Sequence, residues 1–210
     1  GLPRGDMIIV AARPGVGKSA LALNIARRAS ENNAITGIFS LEMGREQVAL
    51  RMISEESGIN GMRVRQGIYT EAEESLLMDA VGHISDLPLY VDDTPRIDLS
   101  QLRSKARRLQ ASVGLDLLIV DYIQLVTLGG NKRYNRVEEV TAALKGLARD
   151  LDIPLIALSQ LNRASEGRTD HRPQLSDLRD SGSIEQDADT VLFLFREEMH
   201  HQEDDWITRY

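Results

Sequence analysis

Ala12-Arg13-Pro14-Gly15-Val16-Gly17-Lys18-Ser19 is the stretch on which the fold turns. An apolar run, Met7-Ile8-Ile9-Val10-Ala11, precedes it, and an amphipathic run, Ala20-Leu21-Ala22-Leu23-Asn24-Ile25-Ala26, follows at once. A strand, a glycine-containing loop closed by Gly-Lys-Ser, and a helix make the sequence image of a phosphate-binding loop. Glycines let backbone N–H groups turn inward around an anion, and the new helix aims its positive end at the same point. This predicts a triphosphate held by Arg13, Pro14, Gly15, Val16, Gly17, Lys18, Ser19 and Ala20. Lys18 is expected on the outer phosphates and the Ser19 hydroxyl on a magnesium ion. One letter departs from the pattern, because Ala12 stands where the first glycine is usual. That position needs a small residue more than it needs a positive φ. The competing reading is a chance glycine loop between a buried strand and a helix. The flanks weigh against it, since they are those the motif requires.

Downstream, Ile35-Thr36-Gly37-Ile38-Phe39-Ser40-Leu41 reads as a second buried strand, ending at Glu42. Residues 44–57 read as a helix, with Val48, Met52 and Ile53 near the expected spacing. Residues 58–67, with Arg63 and Arg65, read as a loop. Thr70 with Glu73 three residues on is a capping box that opens a helix over 71–84. Leu87-Pro88-Leu89-Tyr90-Val91 is a short strand, and 99–113 a basic amphipathic helix. Leu115-Asp116-Leu117-Leu118-Ile119-Val120 is a strand ending at Asp121, followed by a loop at 129–133 and a helix over 137–151. Ile153-Pro154-Leu155-Ile156-Ala157-Leu158 is a strand ending at Ser159-Gln160, and Thr190-Val191-Leu192-Phe193-Leu194-Phe195 the last one. Between them, 161–187 is a polar segment longer than ordinary loops, which marks it as functional or disordered. Strands alternating with helices predict an α/β fold, a mostly parallel sheet with helices on both faces. The strands are continuous apolar runs, as burial on both faces demands.

The chain has 210 residues, enough for a single domain with a sizeable core. Aromatic residues make up 4%, so the core rests on aliphatic side chains. There is no cysteine, which excludes disulfides, cysteine-zinc sites and a thiol nucleophile. No apolar run approaches the roughly 18–20 residues that span a bilayer. The formal charge of −7 offers no global basic surface to nucleic acid. Any such site is therefore local, or built by several subunits. The opening turn Gly1-Leu2-Pro3-Arg4-Gly5-Asp6 and the closing Trp206-Ile207-Thr208-Arg209-Tyr210 read as the ends of a piece of a longer chain.

In an open parallel sheet, ligands bind outside the carboxyl ends of the strands. Four strands here end in the phosphate-binding loop, Glu42, Asp121 and Gln160. Asp121 suits the magnesium carboxylate of a P-loop NTPase, although any such Asp could cap a turn. Glu42 is placed to orient water on a γ-phosphate, against the plainer role of capping the helix after it. Gln160 suits a γ-phosphate sensor, against the plainer role of satisfying loop backbone.

Here a resemblance enters. Phe39-Ser40-Leu41-Glu42-Met43, Leu118-Ile119-Val120-Asp121-Tyr122, Ala157-Leu158-Ser159-Gln160-Leu161-Asn162-Arg163 and the block from Ser176-Asp177-Leu178-Arg179-Asp180-Ser181-Gly182 to Asp189 resemble, in order, the signature blocks of the DnaB-type replicative helicases. The last block separates that family from other RecA-like ATPases. The resemblance implies a RecA-like ATPase core, ATP and Mg2+ as cofactors, and a homo-hexameric ring that moves 5′ to 3′ on single-stranded DNA. It implies primase and a helicase loader as partners, in a bacterial-type cytoplasm. Glu42 then matches the catalytic carboxylate, Asp121 the magnesium aspartate and Gln160 the sensor. Arg179, Asp180 and Gly182 match a loop that touches the DNA backbone. Phosphate contact without base readout is what a translocase needs. Arg163, Arg168, Arg172 and Arg179 can equally be a solvated loop face. The family's trans-acting finger, in a Lys-x-Arg pattern, has no match after Phe195, and neither Arg196 nor Arg209 is assigned as one. The chain alone is therefore expected to bind nucleotide, hydrolyse it poorly and not unwind duplex. Two other classes compete, a RecA-like nucleotide switch (a loader or clock-type regulator) and a recombination ATPase.

Overall fold

Proline sets where two of the strands begin. Pro88 and Pro154 have no N–H to give a sheet, so pairing starts one residue later. Their carbonyls still accept from the neighbouring strand, Thr36 N to Pro88 O at 3.0 Å and Leu118 N to Pro154 O at 3.1 Å. The computed structural model describes residues 1–129, 137–162, 168, 171–178 and 181–200. Its strands are β1 (Met7–Ala12), β2 (Thr36–Ser40), β3 (Leu89–Asp92), β4 (Leu117–Asp121), β5 (Leu155–Gln160) and β6 (Thr190–Phe193). They form one six-stranded sheet in the order β3-β2-β4-β5-β1-β6, and each neighbouring pair is parallel. The expected mostly parallel sheet is thus parallel throughout.

Alternate residues of each strand enter two different cores, because successive side chains point to opposite faces. On one face Ile8, Val10, Ile38, Ile119 and Ile156 meet Ala22, Leu23 and Ala26 of α1 (Lys18–Glu31) and Val48 and Met52 of α2 (Arg45–Ser57). On the other, Met7, Ile9, Val120, Leu155 and Ala157 meet α5 (Leu99–Val113) through Leu102 and Ala106. The same face takes Val140, Leu144 and Leu147 of α6 (Val137–Leu151) and Ile184 of α7 (Ser181–Asp187). Helices on both faces follow from strands that are apolar on both sides. No helix among the described residues is long and apolar enough to cross a membrane.

Between α2 and β3 lie α3 (Gly61–Gln66) and α4 (Glu71–Asp86), and α4 packs on α2. The capping box is formed: Thr70 accepts from Glu73 N, and Glu73 accepts from Thr70 N at 2.8 Å. The reading of 58–67 as loop was incomplete. Asn60 caps six helical residues by accepting from Met62 N, and Gly67, at φ 69°, ends them by bonding back to Arg63 O and Val64 O. Both cap residues were visible in sequence; the glycines at 58, 61 and 67 hid the short helix. The described residues of the polar segment 161–187 also take structure. Leu178 and Ile184 are buried, a short turn spans Leu175–Asp177, and α7 follows. The loop at 130–133 lies outside the described residues.

Candidate active site at the strand tips

Sheet register, rather than sequence spacing, assembles the site. Ala12 at the end of β1 pairs with Gln160 at the end of β5, and Ser40 of β2 pairs with Asp121 of β4. The phosphate-binding loop leaves β1 there, and Glu42 lies two residues past Ser40. Ala12 is 1% exposed and still within its strand, so the position usually held by glycine needs small size and no positive φ. Positive φ falls instead at Gly15 (82°) and Gly17 (112°), where the backbone curls before α1. The loop and α1's first turn therefore present backbone N–H groups at the positive end of the helix.

Arg13, Pro14, Gly15, Gly17, Lys18 and Ser19 line a cleft of about 420 Å³ together with Glu42, Met43, Arg51 and Gln160. Every strand-tip residue expected at the ligand is there except Asp121, which lies just behind Lys18. Val16 closes the loop through its N–H to Arg13 O at 3.4 Å, and Ala20 sits within α1; neither lines the cleft. Arg13 reaches sideways and donates to Leu161 O at 2.9 Å.

Lys18 is the electrostatic centre. Its Nζ lies 3.9 Å from Asp121 Oδ1 and 4.5 Å from the centroid of the Tyr122 ring. Burial pushes the Lys18 ammonium below the usual lysine range, while the charges of Asp121 and then Glu42 act the other way. Burial pushes the Tyr122 phenol up, and Glu42 and Asp121 add to that. Asp121 Oδ1 is buried and has no hydrogen-bond partner. A buried carboxylate oxygen short of a donor, beside a serine hydroxyl at the foot of a phosphate loop, is the donor set a hydrated magnesium ion takes. The residues present fit that ion. A second group with metal-like spacing, Glu31, Glu56 and His83, does not: the Arg27 guanidinium already bonds both carboxylates, to Glu31 at 2.6 Å.

Two site residues escaped the sequence. Gln124, in the turn after β4, donates to Ser159 Oγ at 2.9 Å and so braces the tip of β5 beside Gln160. Arg51 projects from the second turn of α2 into the cleft. Neither has a local signature; only the closeness of Arg51 to Glu42 along the chain hinted at it.

Beyond Gln160 the chain is tied to its own return. Leu161 N donates to Ala12 O (3.1 Å), Leu161 bridges to Leu178, and Asn162 N donates to Asp177 O at 2.9 Å. Asp177 is 1% exposed and takes both Arg168 guanidinium nitrogens, one at 2.8 Å, which holds its carboxyl below the usual range. Arg168 is therefore committed to a buried partner and is no part of a solvated loop face. Arg163, Arg179, Asp180 and Arg209 lie outside the described residues; the Gly182 backbone belongs to α7. Arg196 pairs with Glu198 at 2.6 Å.

A family model described as the DnaB-like helicase C terminal domain matches residues 1–209. The chain belongs to that family. It is 48% identical over 207 residues to the replicative DNA helicase DnaC of Bacillus subtilis strain 168, covering 97% of this chain and 46% of that one. It is 47% identical over 207 residues to the replicative DNA helicase DnaB of Geobacillus stearothermophilus, with the same shares. The chain thus spans about half the length of the curated relatives it matches. Among solved structures, a DnaB-like replicative helicase described with its interactions with primase matches with a TM-score of 0.90 and 34% identity, over 97% of this chain and 50% of that one. A second solved structure, described as an ATPase domain, matches with a TM-score of 0.87 and 35% identity, over 96% and 73%. The six-stranded parallel sheet is accordingly the RecA-like core of the DnaB-like family, and family membership carries nucleotide binding with it.

Proposed function

We propose that this chain is the motor domain of a replicative DNA helicase, hydrolysing ATP between subunits of a homo-hexameric ring to move 5′ to 3′ on single-stranded DNA and part the duplex. The observation that carries this is the convergence, at neighbouring strand ends, of a phosphate loop, a carboxylate on either side of Lys18 and an amide at the head of the 161–178 segment. The loop amides and Lys18 hold the β- and γ-phosphates. Ser19 and Asp121 would hold a magnesium ion, which would offset the charge of the outer phosphates. Glu42 orients the attacking water and takes its proton. Gln160 bonds the γ-phosphate, and its loss after hydrolysis releases the β5 tip. That release reaches the 179–182 loop through the Leu161–Leu178 bridge, which ends one residue short of Arg179. The Arg179 guanidinium and the backbone N–H groups of Asp180 and Gly182 grip DNA phosphates, and Arg168, held by Asp177, fixes the base of that loop.

The whole protein works in a bacterial-type cytoplasm, with primase and a helicase loader as partners; a related helicase's described interaction with primase supports the first. A nucleotide switch has no need of the 176–189 block, and a recombination ATPase would form open filaments. The test is ATP turnover of the full-length protein with and without single-stranded DNA, beside imaging with ATP and DNA. DNA-stimulated turnover and closed six-membered rings are expected. Turnover indifferent to DNA points to the switch.

A further inference from the structure

The ladder between β4 and β5 stops short. Its last pair is Val120 with Ala157, although β5 runs on to Gln160. On its other flank β5 stays paired with β1 as far as Ala12 and Gln160. The tip of β5 thus has a strand on one flank only. A strand residue points its N–H and C=O to the same flank, and successive residues alternate. Leu161 N turns to β1, where it donates to Ala12 O at 3.1 Å. The backbone groups of Gln160 therefore face the flank that β4 has left. One side chain fills it. Gln124 Nε2 donates to Ser159 Oγ at 2.9 Å and to Gln160 O at 3.4 Å, and Gln124 Oε1 accepts from Gln160 N at 3.4 Å. A carboxamide carries an acceptor and two donors, so it can stand in for a peptide group of a neighbouring strand. Gln124 is itself well anchored: it lies in the turn Ile123–Leu125, and Ile123 before it and Val126 beyond it are fully buried. That turn begins two residues after Asp121, so one short segment carries the buried carboxylate and holds the backbone of Gln160. The bond to Ser159 is of ordinary length and the two to Gln160 are long, so the tip is guided without being locked.

We propose that Gln124 is the positioning residue for Gln160. By standing in for the missing strand it sets the direction from which the Gln160 amide meets the γ-phosphate, and it ties that amide to the strand tip bearing Asp121. The proposal rests on Gln160 being the γ-phosphate sensor. The competing role for Gln124 is a stay for the fold, with no bearing on turnover.

The test measures ATP turnover, with and without single-stranded DNA, and ADP binding with Mg2+. It uses the full-length protein and its variants Gln124→Met, Gln124→Ala, Gln160→Ala and the double variant of Gln124→Met with Gln160→Ala. Gln124→Met keeps the bulk of the side chain and removes the amide, and thermal unfolding of each variant checks its fold. In Gln124→Met kcat is expected to fall roughly fivefold to tenfold, the scale of one side-chain hydrogen bond. Gln124→Ala is expected to follow it. ADP affinity is expected to hold in both, since the phosphate loop and Lys18 are untouched. The double variant is expected to turn over no more slowly than Gln160→Ala alone, because residues that act as one unit do not add. Losses that multiply in the double variant overturn the proposal, since Gln124 then acts apart from Gln160. An unaltered kcat in Gln124→Met also overturns it, even where thermal stability drops, and leaves the reading of Gln160 standing. Normal, DNA-stimulated turnover in Gln160→Ala overturns the sensor reading itself, and the proposal with it.

Discussion

A single oxygen atom explains much of the site. Asp121 Oδ1 is buried, unbonded and 3.9 Å from Lys18 Nζ, so in the absence of ligand the lysine and the carboxylate offset each other imperfectly. Magnesium and polyphosphate would supply what each lacks. Lys18→Ala is expected to abolish tight ATP binding, measured by titration with a fluorescent nucleotide. Glu42→Gln is expected to keep binding and to lower turnover by roughly 10²–10⁴, the scale of general-base catalysis. Normal turnover in that variant would remove Glu42 from the base role. A structural residue is equally sharp. Gly129 has φ 75°, and a Cβ there would run into Asp98 Oδ2, on the side chain that caps α5 by accepting from Ser100 N at 2.8 Å. Gly129→Ala should cost about 1–3 kcal/mol in urea denaturation, from the strained φ and the displaced cap. A loss within error would mean that the cap moves aside freely.

Among the elements, the α3–α4 unit is held at its surface by charge. The paired bonds from Arg63, then the Thr70 amide, bring the Glu73 carboxyl from 4.5 to about 2. A carboxylate with a depressed folded pKa stabilises above its unfolded pKa and loses that contribution as pH falls through the folded one. Glu73→Gln should therefore lower the denaturation midpoint at pH 7, and the gap to the unmodified protein should close between pH 4.5 and about 2. A gap that stays constant across this window would show that shape, and not charge, holds the helices. Elsewhere a buried lysine does similar work at the base of the sheet. Lys145 on α6 donates to Gly5 O at 2.9 Å and pairs with Asp189, which also accepts from Met7 N at 2.7 Å. That ties the turn before β1 to the turn before β6, so the edge of the sheet nearest the phosphate loop is braced from below.

For the whole molecule, a formal charge of −7 offers no global basic surface, so the proposed grip on DNA rests on a few local contacts multiplied by the proposed ring. Arg179→Ala in the full-length protein should weaken single-stranded DNA binding and flatten its dependence on salt. The slope should fall by about 0.7 for each phosphate that Arg179 no longer neutralises, while basal ATP turnover stays. An unchanged salt slope takes Arg179 off the list of phosphate contacts. The route from the phosphate loop to the proposed DNA loop is short, since Leu161 is bonded both to Ala12 at the phosphate loop and to Leu178 on the return segment.

The sequence by itself determined the fold class, the phosphate loop, the strand tips and the family. Each is written locally: apolar runs buried on both faces, Gly-Lys-Ser at a strand-to-helix junction, and one polar residue at each strand end. It also carried Asn60 and Gly67, the caps of α3, and Pro88 and Pro154, which delay two strands. What it could not carry were relations between residues far apart in the chain. The strand order sets Ala12 beside Gln160 and Ser40 beside Asp121, and no spacing encodes that register. In the sequence Arg168 stands between a phosphate contact and a solvated loop face, because its buried partner depends on how the return segment folds under the β5 tip. Arg51 has no signature in the sequence, because only the placement of α2 against the sheet decides which way that helix faces. Side-chain burial and partnership are properties of packing, and packing exists only once the strands have found their neighbours.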